Sequence, residues 1–373
     1  MTKIDHVQAR TVCVPLPRTT SFSSRTVDRR WYSLVRVVDG DGGVGIGFCY
    51  AGSDGGSLPS IAVRDLFRDV LVGEDSDRTT GLWDDMYQRA LLHGRTGSVM
   101  RGLSAIDIAL WDLKARRASR PLWKHLGAHA RRSVPAYASG GYYLDGKTVA
   151  DLGQEVHRYV DAGYGAVKIK VGFVPPEVDA TRIAAARDVL GPNRLLMLDA
   201  NNAWRDVPTA LRALRMWEPF DPYWIEEPFS PDDITNHAAL AAETPIVVAT
   251  GEIEAGRWRH FELLRRSAAA ILQTDAAVCG GVTEFMRIAH LADGFGVTMA
   301  PHWFHDLHAH LVASISNGSW VEVFPGSEVL NFGELIDRRV EVRDGEVVLS
   351  DDWGIGFDFD EARVEHFATE PWS

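Results

Sequence analysis

Lys168 and Lys170 stand two residues apart in the run Ala166-Val167-Lys168-Ile169-Lys170-Val171. In a β-strand, residues two apart share a face. Both ammonium groups would point one way, and Val167, Ile169 and Val171 the other. Two lysines turned toward an interior repel each other and are costly to strip of water unless carboxylates lie nearby. The chain supplies carboxylates at intervals: Asp199, Glu226 and Glu252 each end a short apolar run. Any one of them alone reads as half of a salt bridge. Three acids meeting at one place are strongly destabilising without a cation, and an all-oxygen donor set suits magnesium or manganese better than zinc. Asp275 and His302 close two later, neighbouring runs, and Glu322 lies in the last one. A carboxylate bonded to one imidazole nitrogen fixes the tautomer and raises the basicity of the other nitrogen. Among 13 histidines a lone one means little, so the pairing with Asp275 is what singles out His302. His305, His308 and His310 read as helix surface or packing. Strand alternation turns Glu227 away from the acids, as a structural residue.

Residues so far apart in sequence can meet only if the elements that carry them converge. From about residue 134, short apolar runs alternate with amphipathic stretches. Strands are expected at 135–139, 166–171, 195–199, 223–226, 246–251, 270–275, 297–302 and 320–323. Helices separate them, for example at 176–190, 208–217, 235–242, 257–266 and 283–292. Eight strands with helical connections imply an α/β barrel, whose C-terminal strand ends ring one cavity. Earlier in the chain, β-rich runs at 31–38 and 43–50 flank the hairpin signal Asp39-Gly40-Asp41-Gly42. A helix is expected over 97–117, with Ile106, Ala109, Leu110 and Leu113 on one face. Gly43-Val44-Gly45-Ile46-Gly47 superficially suggests a nucleotide loop, but no helix N-terminus follows it. Beyond residue 326 the rhythm stops, and 340–349 reads as a hairpin around Asp344-Gly345 that packs back on the N-terminal part. The expected division is 1–130, 131–325 and 326–373.

A chain of 373 residues suits two domains better than one. Its 46% hydrophobic and 24% charged residues are those of a soluble globular protein. A formal net charge of −12 argues against a nucleic-acid partner. It leaves room for a small anion, because lysines and a metal can invert the field locally. No apolar run is long enough for a bilayer, and the N-terminus lacks the apolar stretch of a signal peptide. Cys13, Cys49 and Cys279 are scattered and odd in number, which fits a reducing cytoplasm rather than a disulfide framework.

Several segments, in their order and spacing, resemble the mandelate racemase subgroup of the enolase superfamily. They are Lys168-Ile169-Lys170, Leu198-Asp199-Ala200-Asn201, Trp224-Ile225-Glu226-Glu227-Pro228, Thr250-Gly251-Glu252, the run from Asp275 to Gly280-Gly281-Val282-Thr283, and Pro301-His302. Ser104-Ala105-Ile106-Asp107-Ile108-Ala109-Leu110-Trp111-Asp112 is similar to the helix of that family's capping domain. The resemblance spans nearly the whole chain. It implies an α/β protein: a modified (β/α)7β TIM barrel under an α+β N-terminal capping domain. It implies one Mg²⁺ per active site, held by Asp199, Glu226 and Glu252. Lys170 would be the base on one face of the substrate's α-carbon, and the His302–Asp275 dyad would serve the other. Lys168 would sit near the substrate carboxylate and help depress the pKa of Lys170. Glu322 would hydrogen-bond that carboxylate. A small-molecule carboxylate substrate and a homo-oligomer are part of the same expectation. Removing a proton next to a carboxylate puts a second charge on an anion. Magnesium, Lys168 and a protonated Glu322 would stabilise that enediolate, and Lys170 must be partly neutral near pH 7.

The fate of the intermediate separates a racemase from a dehydratase, in which His302 protonates the departing β-hydroxyl, and from a cycloisomerase. Both bases are present, so the barrel residues permit all three. In this family the loop between the first two strands covers the site. Here it spans 17–30 and is rich in hydroxyls and arginines, with only Phe22 bulky. An aromatic acid would leave those polar groups unpaired, whereas a polyhydroxy acid suits them. Arg25 either pairs with a distal carboxylate, as in an aldaric acid, or stays solvated. Phe22, Arg25, Asn201 and Tyr137 make up the expected substrate contacts. The reaction expected first is dehydration of an aldonic or aldaric acid to a 2-keto-3-deoxy acid. Racemisation, epimerisation or cycloisomerisation comes next, and a non-catalytic sugar-acid binding protein is the alternative of another class.

Overall fold

The computed structural model describes residues 2–23, 25–127, 132–326 and 329–373. The expected boundary between 130 and 131 lies outside the described residues. The chain begins with an antiparallel three-stranded sheet of β1 (Ile4–Phe22), β2 (Arg25–Asp39) and β3 (Val44–Gly52). The turn between β2 and β3 closes because Asp39 Oδ1 accepts the amides of Asp41 and Gly43 at 3.0 and 2.9 Å. The helix Gly97–Arg117 lies against this sheet with most of its residues buried. That contact explains the glycines of 43–47. A Cβ at Gly45 would stand 2.1 Å from the Ala109 carbonyl oxygen, and one at Gly47 would stand 1.9 Å from that of Ala105. Only glycines let strand and helix backbones come so close. Gly47→Ala is therefore expected to cost at least about 1–3 kcal/mol through overpacking. Differential scanning should register a fall of at least about 3 °C in the melting midpoint. An unchanged midpoint would mean that the helix does not press on the strand.

The barrel contains eight strands among the described residues. They are β4 (Ser133–Gly140), β5 (Ala166–Lys170), β6 (Leu195–Asp199), β7 (Pro222–Glu226), β8 (Val247–Thr250), β9 (Ile271–Leu272), β10 (Thr298–Met299) and β11 (Val321–Val323). Seven helices follow the first seven in turn: Val149–Asp161, Pro176–Leu190, Val207–Trp217, Ile234–Glu243, Gly256–Arg265, Gly281–Gly294 and His305–Val312. Successive strands pair in parallel. The ring closes where β11 pairs with β4, and where Met299 exchanges 2.9 Å bonds with Asn317 and Ser319. This is a (β/α)7β barrel under an α+β cap. β9 and β10 are shorter than the sequence suggests. The ladder runs on for a step, with Gln273 donating to Thr250 and Ala300 to Leu272 at 2.9 Å. The chain then turns away, because Asp275 caps the short helix Ala276–Cys279.

Alternation sorts the strand residues. Val167, Ile169, Leu196, Leu198 and Ile225 pack outward under the helices. Tyr137, Ala166, Met197, Trp224, Ala249, Ile271 and Ala300 fill the barrel interior. The C-terminal segment divides between the two parts of the molecule. The hairpin of β12 (Glu341–Arg343) and β13 (Glu346–Val348) does not reach the cap. It pairs with Ser133, Val134 and Pro135 of β4, an edge left open because β11 covers only Ala136 to Ala138. From Ile355 onward the chain does return to the cap. Ile355 donates to Asp112 at 2.8 Å, and Arg10 pairs with Glu365 at 2.6 Å. Among the described residues no helix is long and apolar enough to cross a membrane.

Candidate active site

The C-terminal strand ends carry the ionisable residues into one place. Lys168 and Lys170 both turn inward from β5. Lys168 Nζ is fully buried, 2.6 Å from Glu226 Oε1, 2.7 Å from Glu322 Oε1 and 3.7 Å from Asp199 Oδ2. Lys170 Nζ donates to Asp199 Oδ2, whose other oxygen accepts the Asn201 amide at 2.9 Å. Gly251, at φ 118°, turns the chain off β8 just before Glu252.

These contacts change three of the expectations. Lys168 does not face the substrate cavity; it lies below it and neutralises Glu226 and Glu322. Burial opposes the charge on Lys170 and Lys168 pushes the same way, yet Asp199, Tyr142 and Glu226 together prevail and raise the Lys170 pKa. Lys170 is thus protonated while it holds Asp199, not partly neutral as expected. Burial alone would lift the Glu322 carboxyl, but Lys168, His302 and Lys170 pull it down to about 2. Glu322 is a carboxylate here, not the protonated acid expected. Tyr137 is a fourth correction. It packs edge-on against Trp224, with ring centroids 5.3 Å apart, in the interior layer under the acids, and it does not line the cavity. Its place in β4, level with Glu322 in β11, puts it below the strand ends.

His302 Nδ1 lies 3.0 Å from Asp275 Oδ2, and His302 Nε2 lies 3.6 Å from Glu252 Oε1. Burial disfavours the imidazolium, but Glu252, Asp275 and Glu322 prevail and raise its pKa to about 9. Beneath the pair sits His308, fully buried. Its Nδ1–H donates to the Trp303 carbonyl at 2.7 Å, and its Nε2 accepts the Ala276 amide at 3.0 Å. One neutral imidazole thereby ties the chain after Asp275 to the chain after His302. Trp303 is held at φ 54° and donates its amide to Glu322 Oε2 at 2.9 Å. His305, His308 and His310 are all buried packing residues rather than helix surface. Asn201, Asn202, Glu227, Trp303 and Phe304 all have left-handed backbones, so strained residues cluster at this rim.

Above these residues lies a cavity of about 460 Å³, lined by Lys170, His302, Glu252, Asn201, Phe22 and Arg25 among others. Its cover is not a loose loop. β1 and β2 break register between Pro15 and Thr20 and pair again toward the tip, with Thr20 opposite Val27, Ser21 opposite Thr26 and Phe22 opposite Arg25. Ser24 of this lid lies outside the described residues. Ser21 and Tyr143 exchange two backbone bonds of 3.2 Å, Phe22 meets Tyr142 edge-on at 5.7 Å, and Arg25 donates to Asn202 Oδ1 at 3.0 Å. Arg25 thus reaches the barrel through Asn202 while remaining exposed to solvent.

Sequence reasoning missed three residues here. The Tyr142 ring centroid lies 4.9 Å from Lys170 Nζ, in a loop with no periodic signal. Arg30 also lines the cavity, and its i, i+2 spacing with the buried Tyr32 and Leu34 could have revealed it. Glu227 was assigned to the far face by alternation, but β7 ends at Glu226 and the φ of 41° at Glu227 breaks that alternation. Burial, Glu252 and Asp199 raise the Glu227 carboxyl well above its usual range, while Arg25 and Asn202 oppose them.

The donor set fits a hard dication. Glu226 Oε2 and Asn201 Oδ1 are buried without a hydrogen-bond partner. Burial and the neighbouring Asp199, Glu322 and Glu252 raise the Glu226 carboxyl, which is crowding that a cation relieves. Among the described residues no three such ligands are already gathered into a metal cluster. Asp199 and Glu226 are turned to the two lysines instead.

Comparison with known proteins agrees with this architecture. The family pattern of the mandelate racemase / muconate lactonizing enzyme N-terminal domain matches residues 6–127, and the enolase C-terminal domain-like pattern matches 151–363. An L-talarate/galactarate dehydratase of Salmonella typhimurium is 38% identical over 331 residues, 88% of this chain and 80% of that protein. A 3,6-anhydro-alpha-L-galactonate cycloisomerase of Streptomyces coelicolor is 35% identical over 320 residues, 86% of this chain and 88% of that one. The L-talarate dehydratase of Polaromonas sp. JS666, solved with Mg and L-glucarate, superposes with a TM-score of 0.92 at 33% identity, covering 100% of this chain and 99% of its own.

Proposed function

The chain belongs to the mandelate racemase / muconate lactonizing enzyme family of the enolase superfamily, and from that premise we propose that it is a Mg²⁺-dependent enzyme that dehydrates an acid sugar to a 2-keto-3-deoxy acid. The observation that carries this reading is the pair of proton-transfer groups, Lys170 and His302, lining one cavity beside an acid cluster with an unpartnered carboxylate oxygen. In support, a dehydratase of sugar diacids is 38% identical across most of the chain.

Asp199, Glu226 and Glu252 would hold the Mg²⁺. When bound, the ion draws electron density from the substrate carboxylate and so acidifies the α-hydrogen. Lys170 loses its carboxylate partner once Asp199 is engaged, and its Nζ then takes the α-proton. His302, its Nδ1 bonded to Asp275, gives the Nε2 proton to the departing β-hydroxyl, which leaves as water. The C–H electrons move first onto the carboxylate, and then return to form the new C=C bond as the C–O bond breaks. The resulting enol gains a proton at the β-carbon and gives up its hydroxyl proton to become the 2-keto acid. Lys168 offsets the charge of Glu226 and Glu322 beneath, and the paired lid keeps bulk water out. The lid arginines and hydroxyls suit a polyhydroxy substrate. Relatedness to a cycloisomerase favours ring opening or closure as the second reading. We further read the protein as a cytoplasmic homo-oligomer, a view supported by its three unpaired cysteines and by the family resemblance.

The test is a screen of aldonic and aldaric acids with Mg²⁺, reading 2-keto acid formation. One or more diacids should give product, EDTA should abolish it, and added Mg²⁺ should restore it. Activity that survives EDTA would remove the metal from the reading. A blank for every acid sugar, alongside racemisation or lactone isomerisation, would move the reaction to the second reading.

A further inference from the structure

Three arginines are deeply buried among the described residues: Arg10 at 6% exposure, Arg30 at 4% and Arg182 at 8%. Arg10 pairs with Glu365 at 2.6 Å and Arg182 with Asp179 at 2.7 Å. Arg30 has no carboxylate within ion-pair distance among the described residues, although buried charges are ordinarily paired. Its Nε donates to the Val329 carbonyl at 2.7 Å, and that is its one hydrogen bond to a described residue. Its guanidinium carbon lies 5.4 Å from the ring centroids of both Tyr50 and Trp303. Two aromatic rings hold the cation in place but do not neutralise it. Arg101 Nη1 donates to the Tyr50 carbonyl at 2.6 Å and steadies that wall. Arg30 lines the same cavity as Lys170 and His302, and its two Nη groups have no hydrogen-bond acceptor among the described residues.

We infer that Arg30 is the anion-binding end of the substrate cavity. It receives a second carboxylate, at the far end of the molecule from the reacting α-carbon, and selects an aldaric acid over the corresponding aldonic acid. The inference rests on the acid-sugar reading above and goes past it, since the relatives include enzymes named for both kinds of acid, galactarate and a galactonate derivative. It also replaces Arg25 in that role, because Arg25 is engaged with Asn202. A planar fork of donors packed against two adjoining rings is pre-set for two parallel bonds to a carboxylate, which a lysine cannot copy.

The experiment uses pairs of acids of one configuration that differ only in a terminal carboxylate or hydroxymethyl group. The wild type should prefer the diacid by about 10²-fold in kcat/KM. Arg30→Met should lower kcat/KM for the diacid by about 10²-fold, chiefly through KM, and leave that for the monoacid within about threefold. Arg30→Lys should fall between the two. An equal loss on both acids would assign Arg30 to holding the lid and overturn the inference, as would a wild-type preference for the monoacid. If Arg30→Met does not fold, calorimetric binding of the two acids to the Mg²⁺-loaded wild type decides the matter, and equal affinities overturn the inference. Arg30-dependent binding of the diacid with no turnover would sink the dehydratase reading and leave this one standing. Turnover without any diacid preference would do the reverse.

Discussion

Lys170→Ala should lower kcat by about 10³-fold or more while the protein still folds and binds Mg²⁺. General bases contribute about 10²–10⁴ in rate, and Lys170 is the lysine whose side chain reaches the cavity, Lys168 being sealed beneath it. Removing one member of a buried ion pair ordinarily costs about 3–5 kcal/mol because the other charge is stranded. Here Asp199 keeps the Asn201 amide at 2.9 Å and Lys168 at 3.7 Å, and a metal ion would take up its charge. The variant should therefore be less stable without Mg²⁺ and close to wild type with it. Three readouts check this: steady-state turnover, exchange of the substrate α-hydrogen for solvent deuterium, and calorimetric Mg²⁺ titration. Exchange at the wild-type rate would remove Lys170 from proton abstraction. Loss of Mg²⁺ binding in step with activity would mean that the metal and base roles are not separate.

His302→Asn should separate two steps that Lys170→Ala removes together. Asparagine can still donate to Asp275, so the loop should keep its course, helped by the His308 bridge between Ala276 and Trp303. It cannot deliver a proton to a departing hydroxyl. Product formation should fall by about 10²–10⁴-fold while α-deuterium exchange continues through Lys170. If exchange falls with product, His302 is the group that takes the α-proton and Lys170 serves the other face. A racemase would show a third pattern, with exchange retained for one enantiomer and lost for the other.

The strand ends were legible because the rule that places residues there is local. Alternation in 166–171 puts Lys168 and Lys170 on one side, and an acid closing each of several apolar runs marks where those runs leave the sheet. Asp199 and Glu226 end β6 and β7 as the sequence reads, and Asp275 lies within hydrogen-bonding distance of His302. The same local rule misplaced Glu227, since it holds only while the backbone stays extended. It also drew β9 too long, because capping of Ala276–Cys279 by Asp275 competes with the ladder. The glycines of 43–47 could be cleared of nucleotide binding from sequence, but the backbone approach that requires them needed the helix carbonyls of Ala105 and Ala109.

By itself the sequence determined the barrel and the identity of the ionisable groups at the rim, since each follows from residue type and period over a few neighbours, while the cap followed from the family resemblance. Tertiary structure decided which charge each group meets. It put Lys168 under the cavity rather than in it, kept Glu322 ionised and gave Lys170 to Asp199. It also left Arg30 buried against Tyr50 and Trp303 with no carboxylate of its own among the described residues. Coulombic interactions and desolvation act through space between residues tens to hundreds of positions apart, so no local pattern in the chain encodes them.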